Sequence, residues 1–130
     1  RRATSTIQTV QAAYQPFENG FMIWNGANGD VHTFFGVDSG RADTVLQEVY
    51  SGFIDTTNGA TPPDGLLRPQ NAFGLVWSGY NYQENDLGWA TGAEQGYNAS
   101  LEYPVDASGV IISLPDGRKV IQNGYSWRYR

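Results

Sequence analysis

Gly20-Phe21-Met22-Ile23-Trp24, then the polar turn Asn25-Gly26-Ala27-Asn28-Gly29-Asp30, then Val31-His32-Thr33-Phe34-Phe35-Gly36: this stretch decides the fold class. Two short apolar runs flank a turn whose Asn and Gly residues tolerate positive φ, which is the chemistry of a β-hairpin. The pattern returns twice. Phe73-Gly74-Leu75-Val76-Trp77 precedes a polar loop and Leu87-Gly88-Trp89-Ala90-Thr91. Gly109 to Leu114 precedes Pro115-Asp116-Gly117 and then Val120-Ile121. Units of this size cannot bury an apolar face alone and must pack on one another.

Working outward, residues 109–122 form the second clear hairpin, because Asp116-Gly117 between apolar runs is a strong turn signal. Tyr125, Trp127 and Tyr129 alternate and read as a final strand. Arg41 to Phe53 reads as a helix, with Val45, Leu46, Val49, Tyr50 and Phe53 on one face and Asp38 or Ser39 as its cap. Its end, from Val49 to Thr56, also fits a strand. Residues 55–72 read as a loop, since Pro62-Pro63 cannot sit in a central strand. Residues 1–15 read as an N-terminal linker or a short helix. Ser5 and Gln8 have capping-box spacing, and Ile7, Val10 and Tyr14 fall at helical intervals. Residues 16–130 then make a single β-rich domain of three related strand-turn-strand units. The expected fold is all-β, with antiparallel hairpin repeats forming a small barrel or a propeller-like domain, and one short helix.

Composition agrees. The chain has 130 residues, enough for one domain with a real core and too few for two comfortable ones. Sixteen glycines, 14% aromatics and only 16% charged residues suit a turn-rich β-domain better than a helix bundle. A net charge of -5 with scattered basic residues argues against nucleic acid. The absence of cysteine removes thiol nucleophiles, zinc-thiolate sites and iron–sulfur clusters. No apolar run approaches the length of a membrane span. The start at Arg1 reads as a fragment or a mature form.

No catalytic signature stands out. His32 is the single histidine and lacks the partners a triad or metal site needs. Asn25, Asn28, Asp30 and Asp38 crowd oxygen donors, yet their spacing is not a calcium loop and they are ordinary turn residues. Glu94 and Glu102 flank tyrosines and are the carboxylate pair to weigh for glycoside hydrolysis. Trp24, Trp77 and Trp89 sit in apolar runs and read as core before sugar platforms. The candidate ligand-binding residues are Tyr80 and Tyr82, with Asn81 and Gln83 beside them in a polar loop. Loop tyrosines offer wide contact at low entropic cost; the competing reading folds them back onto the sheet. Asn98-Ala99-Ser100 matches the glycosylation acceptor pattern.

The stretches Tyr14 to Trp24, Pro63 to Pro69, Phe73 to Trp77 and Leu87 to Tyr97 resemble a C-terminal module of bacterial secreted and cell-surface proteins. They are more distantly similar to LGFP-type repeats of envelope-associated proteins, which share a glycine-aromatic strand and a Leu-Gly-aromatic turn. The sequence departs from the module at Asn25 and Ser78, where similar chains often carry Arg, and at residues 37–48, which look like an insertion. The resemblance implies an extracellular or cell-surface setting and carries no catalytic residues. Together these readings point to a non-catalytic binding module for cell-envelope polysaccharide or another surface protein, without metal or cofactor. Two alternatives stand beside it. One is a structural, self-associating subunit of a surface assembly, pairing through open strand edges as a homo-oligomer. The other is a small glycan hydrolase.

Overall fold

The computed structural model describes residues 6–54, 61–105 and 109–130, without the side chains of residues 81 and 82. The first four strands are β1 (Thr6–Phe17), β2 (Gly20–Asn25), β3 (Val31–Phe35) and β4 (Ser39–Val45). Three short helices follow: α1 (Gln47–Tyr50), α2 (Asn71–Gly79) and α3 (Asn81–Leu87). The chain ends in β5 (Gln95–Tyr103), β6 (Val110–Ser113), β7 (Lys119–Asn123) and β8 (Ser126–Tyr129).

The strands close into an eight-stranded antiparallel barrel in the order β1-β2-β3-β4-β8-β7-β6-β5. Two meanders therefore stand side by side. They are sealed along β1/β5, from Thr6↔Tyr103 to Tyr14↔Gln95, and along β4/β8, from Ser39↔Arg128 to Arg41↔Ser126. Closure gives every strand two neighbours and removes the exposed edges that separate hairpins would leave. Strand addition through an open hairpin edge, the route expected for self-association, has no such edge to use.

Both hairpins read from the sequence are present. In β2/β3 the register runs from Gly20↔Phe35 to Trp24↔Val31. Gly20 sits at φ +148, and a Cβ there would lie 1.9 Å from the Phe34 carbonyl oxygen, so only glycine fits. In β6/β7 the turn is tied by Asp116, whose carboxylate accepts the Arg118 backbone N–H at 3.0 Å.

Alternation sorts the side chains into two layers. Val10, Ala12, Phe21, Ile23, Phe34, Ala42, Ala99, Leu101, Ile112, Val120 and Trp127 come from all eight strands and fill the barrel. Phe21 stacks on Phe34 at 4.7 Å, and Trp127 meets both rings edge-on. The Trp127 indole N–H donates to the Phe35 carbonyl at 2.8 Å. The outer faces of β1 to β4 supply Ala13, Phe17, Met22, Val31, Phe35 and Val45, which pack against Tyr50, Phe73, Val76, Trp77 and Leu87 of the helical crossover.

Three sequence expectations change. Residues 6–15 belong to β1 and form neither linker nor helix; Ser5 lies outside the described residues. A helical cap is worth about 1 kcal/mol, whereas β1 pairs along both its edges. Residues 39–45 form β4, leaving one helical turn at α1, because β4 is the strand that joins the two meanders on that side. Leu46 and Val49 accordingly stay exposed. The middle unit is not strand-turn-strand. Phe73, Val76 and Trp77 lie at i, i+3 and i+4 and bury one helical face, a spacing that a short apolar run shares with a buried strand.

Candidate functional site

The crossover from β4 to β5 does not cover the barrel wall evenly. Between α1, the start of α2 and residues 61–70 it leaves two adjoining cavities over the outer face of β1 and β2. One is about 540 Å³ and is lined by Gln15, Leu67, Arg68, Gln70, Asn71 and Glu94, among others. Its neighbour is about 410 Å³ and is lined by Trp24, Gln47, Tyr50, Asn71, Leu75 and Glu94, among others. Asn71 and Glu94 belong to both, so the two form one groove with a polar and an aromatic half. Leu67 is pinned there by paired backbone hydrogen bonds with Ala90, at 2.8 and 3.1 Å.

Gln15 lines the polar half. Strand alternation turns it outward from β1, beneath the crossover, where it is 4% exposed. Its Nε2 donates to the Gly92 carbonyl at 3.1 Å, while its Oε1 is buried with no hydrogen-bond partner. A buried acceptor left unmet costs about 1–3 kcal/mol. Across the groove α2 begins without a side-chain cap. The backbone N–H groups of Asn71, Ala72 and Phe73 meet no acceptor among the described residues. Asn71 itself has φ 56, and among the described residues no other non-glycine has a positive φ. Asn tolerates that conformation better than most residues, and such outliers cluster at binding sites. Burial raises the pKa of Glu94. In the aromatic half the Trp24 ring is half-buried, and the Tyr50 hydroxyl donates to the Gly29 carbonyl.

The residues singled out from the sequence fall elsewhere. Tyr80 to Gln83 do not make a loop; they join α2 to α3 and form its first turn. Tyr80 packs edge-on against Phe53 at 5.3 Å, the folded-back arrangement. Gln83 is fully buried, and its Oε1 accepts a hydrogen bond from the Thr33 hydroxyl at 2.9 Å. Gln83 is therefore a packing residue and not a surface ligand contact. Asn81 and Tyr82 have their backbone in α3, and their side chains lie outside the described set.

His32 stands inside the barrel near one mouth. Its Nδ1 lies 2.9 Å from Gln122 Oε1 and 3.2 Å from Thr44 Oγ1. Gln122 Nε2 donates to Thr44 Oγ1 at 2.9 Å and to the Gly124 carbonyl at 3.3 Å. Because Gln122 spends its amide hydrogens on those two acceptors, its Oε1 must accept, and Nδ1 carries the imidazole proton. Burial lowers the His32 pKa, against weaker opposing pulls from Gln122 and Asp30. Burial favours the neutral ring, and the hydrogen bond to Gln122 fixes its orientation.

The turn residues serve the scaffold. Asn25 and Asn28 accept backbone N–H groups of their own turn, and Asp30 accepts that of Gln47. Among the described residues no cluster of three or more His, Asp or Glu is placed to hold a metal ion. Glu94 and Glu102 are not brought together. From Gln95 to Glu102 the extended strand alone spans about 23 Å, beyond the roughly 5–10 Å between paired glycosidase carboxylates. Glu102 instead lies 3.6 Å from Arg130. Trp77 and Trp127 are buried core, while Trp24 and Trp89 are half-buried. Among the described residues no helix is long and apolar enough to cross a membrane.

Gln15, Trp24 and Asn71 are the groove residues that sequence reading passed over as site residues. The usable signal was a polar residue, Gln15, between Ala13 and Phe17 at strand spacing. Asn71 carries none, since its backbone angle is set by the crossover. Comparison with protein-family models, with curated proteins and with solved structures finds no match.

Proposed function

We propose that this chain is a non-catalytic extracellular module that binds a carbohydrate of the cell envelope in the groove over β1 and β2. The observation that carries the reading is the pairing of an aromatic half, Trp24 and Tyr50, with a polar half, Gln15, Asn71 and Glu94. Sugars present apolar ring faces and hydroxyl edges, and concave sites that combine apolar walls with a few placed polar groups suit them. The resemblance of residues 14–24 and 63–97 to modules of bacterial surface proteins supports the cell-surface setting.

The test is a glycan array read alongside pull-down on an envelope fraction. Asn71→Gly is the first variant, because glycine accepts the positive φ while the amide side chain is lost. Losing one neutral hydrogen bond of about 1 kcal/mol should weaken binding roughly five-fold, with the melting transition nearly unchanged. Wild-type protein that retains no glycan and no envelope polysaccharide would sink the proposal.

A further inference from the structure

We infer that the sugar this groove takes carries an acetamido group, seated between Gln15 and the start of α2. The inference rests on the glycan reading above and names its ligand class. Two independent features demand opposite hydrogen-bonding partners. Gln15 Oε1 is a buried acceptor without a donor, and a turn of the Gln15 amide toward the cavity is what would bring it to a ligand. The first turn of α2 presents the N–H of Asn71, with those of Ala72 and Phe73 beside it on the adjoining cavity, and none meets an acceptor among the described residues. Gln15 and Asn71 line the same cavity from different elements of the fold. A trans amide points its N–H and its C=O in opposite directions, so one acetamido group can answer both walls at once. Its methyl group finds apolar company in Pro62, Leu67 and Ala93, which line that cavity.

Competing ligands fit less well. A helix N-terminus alone invites an anion, and Arg68 adds a cation to the polar half, but the Glu94 carboxylate lines both halves of the groove and offsets that charge, so a neutral group is favoured over a uronate or phosphate. A plain hydroxyl can donate to one wall and accept from the other, but over a shorter span than an amide, and it leaves the apolar corner empty.

The experiment is calorimetric titration of the wild-type chain with a β-1,4-linked N-acetylglucosamine tetramer and with the matching glucose tetramer. The acetylated tetramer is expected to bind at least ten-fold tighter. Gln15→Leu should abolish that preference, leaving both tetramers at the weaker level. If Gln15→Leu fails to fold, competition supplies the second measurement. Free N-acetylglucosamine should then displace a retained glycan from wild type at a concentration where glucose does not. Equal binding of the two tetramers overturns this inference and leaves the glycan reading standing. Loss of all glycan binding, across the array as well, removes both. Binding of an N-acetylated peptide in preference to either tetramer also overturns it, since the amide pocket would then serve a protein partner.

Discussion

Gln122 and Gln15 are both strand glutamines that the fold hides, at 6% and 4% exposure, and their surroundings differ in one respect. Gln122, at the barrel mouth, has its oxygen on His32 and its amide hydrogens on Thr44 and Gly124. Gln15, on the outer wall, uses one hydrogen on Gly92 and leaves its oxygen unmet. A closed polar network holds a structure together, whereas a half-satisfied one leaves a hydrogen-bonding requirement that a ligand can meet. The difference separates a scaffold feature from a binding feature more sharply than residue type does. It also explains why the single histidine, the residue most suggestive of chemistry, belongs to the scaffold.

The contrast breaks most visibly at Gln122. Gln122→Leu would take away the oxygen that the His32 ring N–H meets at 2.9 Å and leave it the longer contact to Thr44 Oγ1 at 3.2 Å, while the exposed Thr44 and Gly124 turn to water. It should destabilise the fold by about 1–3 kcal/mol, the scale of a buried donor that loses its partner, as read from urea unfolding. A cost below that of an ordinary surface change would show the network to be idle.

The pH dependence of the same network gives the next largest effect. Burial depresses the His32 pKa below its ordinary value of 6.5. Above that value the ring is neutral in both folded and unfolded chains, and the stability is fully present. As pH falls below 6.5 the unfolded chain takes up a proton that the folded chain refuses, so stability declines by at most about 1.4 kcal/mol per pH unit. Glu94 works in the opposite sense. Its raised pKa favours the folded state at low pH, and that contribution fades as pH rises from 4.5 through the folded value. His32→Asn removes the first titration and leaves the second. The difference between wild-type and variant unfolding curves over pH 5–7 should therefore slope upward with pH for wild type. A flat difference would mean that the ring is solvated.

A third buried glutamine sharpens the comparison from the middle. Gln83 accepts from Thr33, while its Nε2 has no partner. Gln83→Met alone orphans the Thr33 hydroxyl but also removes the unmet Nε2, for a net cost of about 1 kcal/mol. The double change Thr33→Val with Gln83→Met removes both polar groups and should recover most of it. Non-additivity in that double-mutant cycle is the measurement, and strict additivity would show that the two side chains do not interact.

Sequence reading reached as far as local chemistry reaches. The β2/β3 and β6/β7 hairpins were legible because turn residues and alternating strands lie within about twenty residues of each other. The barrel wall was legible as a class but not as an order, since β4 meets β8 through pairs such as Gly40↔Trp127 that no local pattern encodes. β1 was misread because Val10 and Tyr14 satisfy helical spacing, and its strand partners, Tyr97 to Tyr103 among them, lie far along the chain. The run Phe73 to Trp77 fits both periods, and only packing against the outer face of the first meander chooses the helix. The groove was illegible for a related reason. An unmet oxygen on Gln15 exists only once the crossover has buried it, and likewise only the fold shows that Tyr80 packs on Phe53 and that Gln83 is buried.

Gln15 closes the series with the smallest effect on stability. Gln15→Leu gives up one hydrogen bond to the Gly92 carbonyl, in a half-buried stretch where water can replace it. It also removes the buried unmet oxygen and adds apolar surface beside Pro16 and Leu67. The loss of about 1 kcal/mol and the relief of a comparable penalty oppose each other, so the unfolding midpoint should stay within about 1 kcal/mol of wild type and could rise. Such an outcome is common at sites whose residues are kept for binding at the expense of stability. The two glutamines would then separate completely: Gln122→Leu destabilises the chain without touching the groove, and Gln15→Leu removes the groove's acceptor with little change in stability. If Gln15→Leu costs as much stability as Gln122→Leu, its oxygen has a structural partner after all, and the groove loses the acceptor on which its ligand class depends.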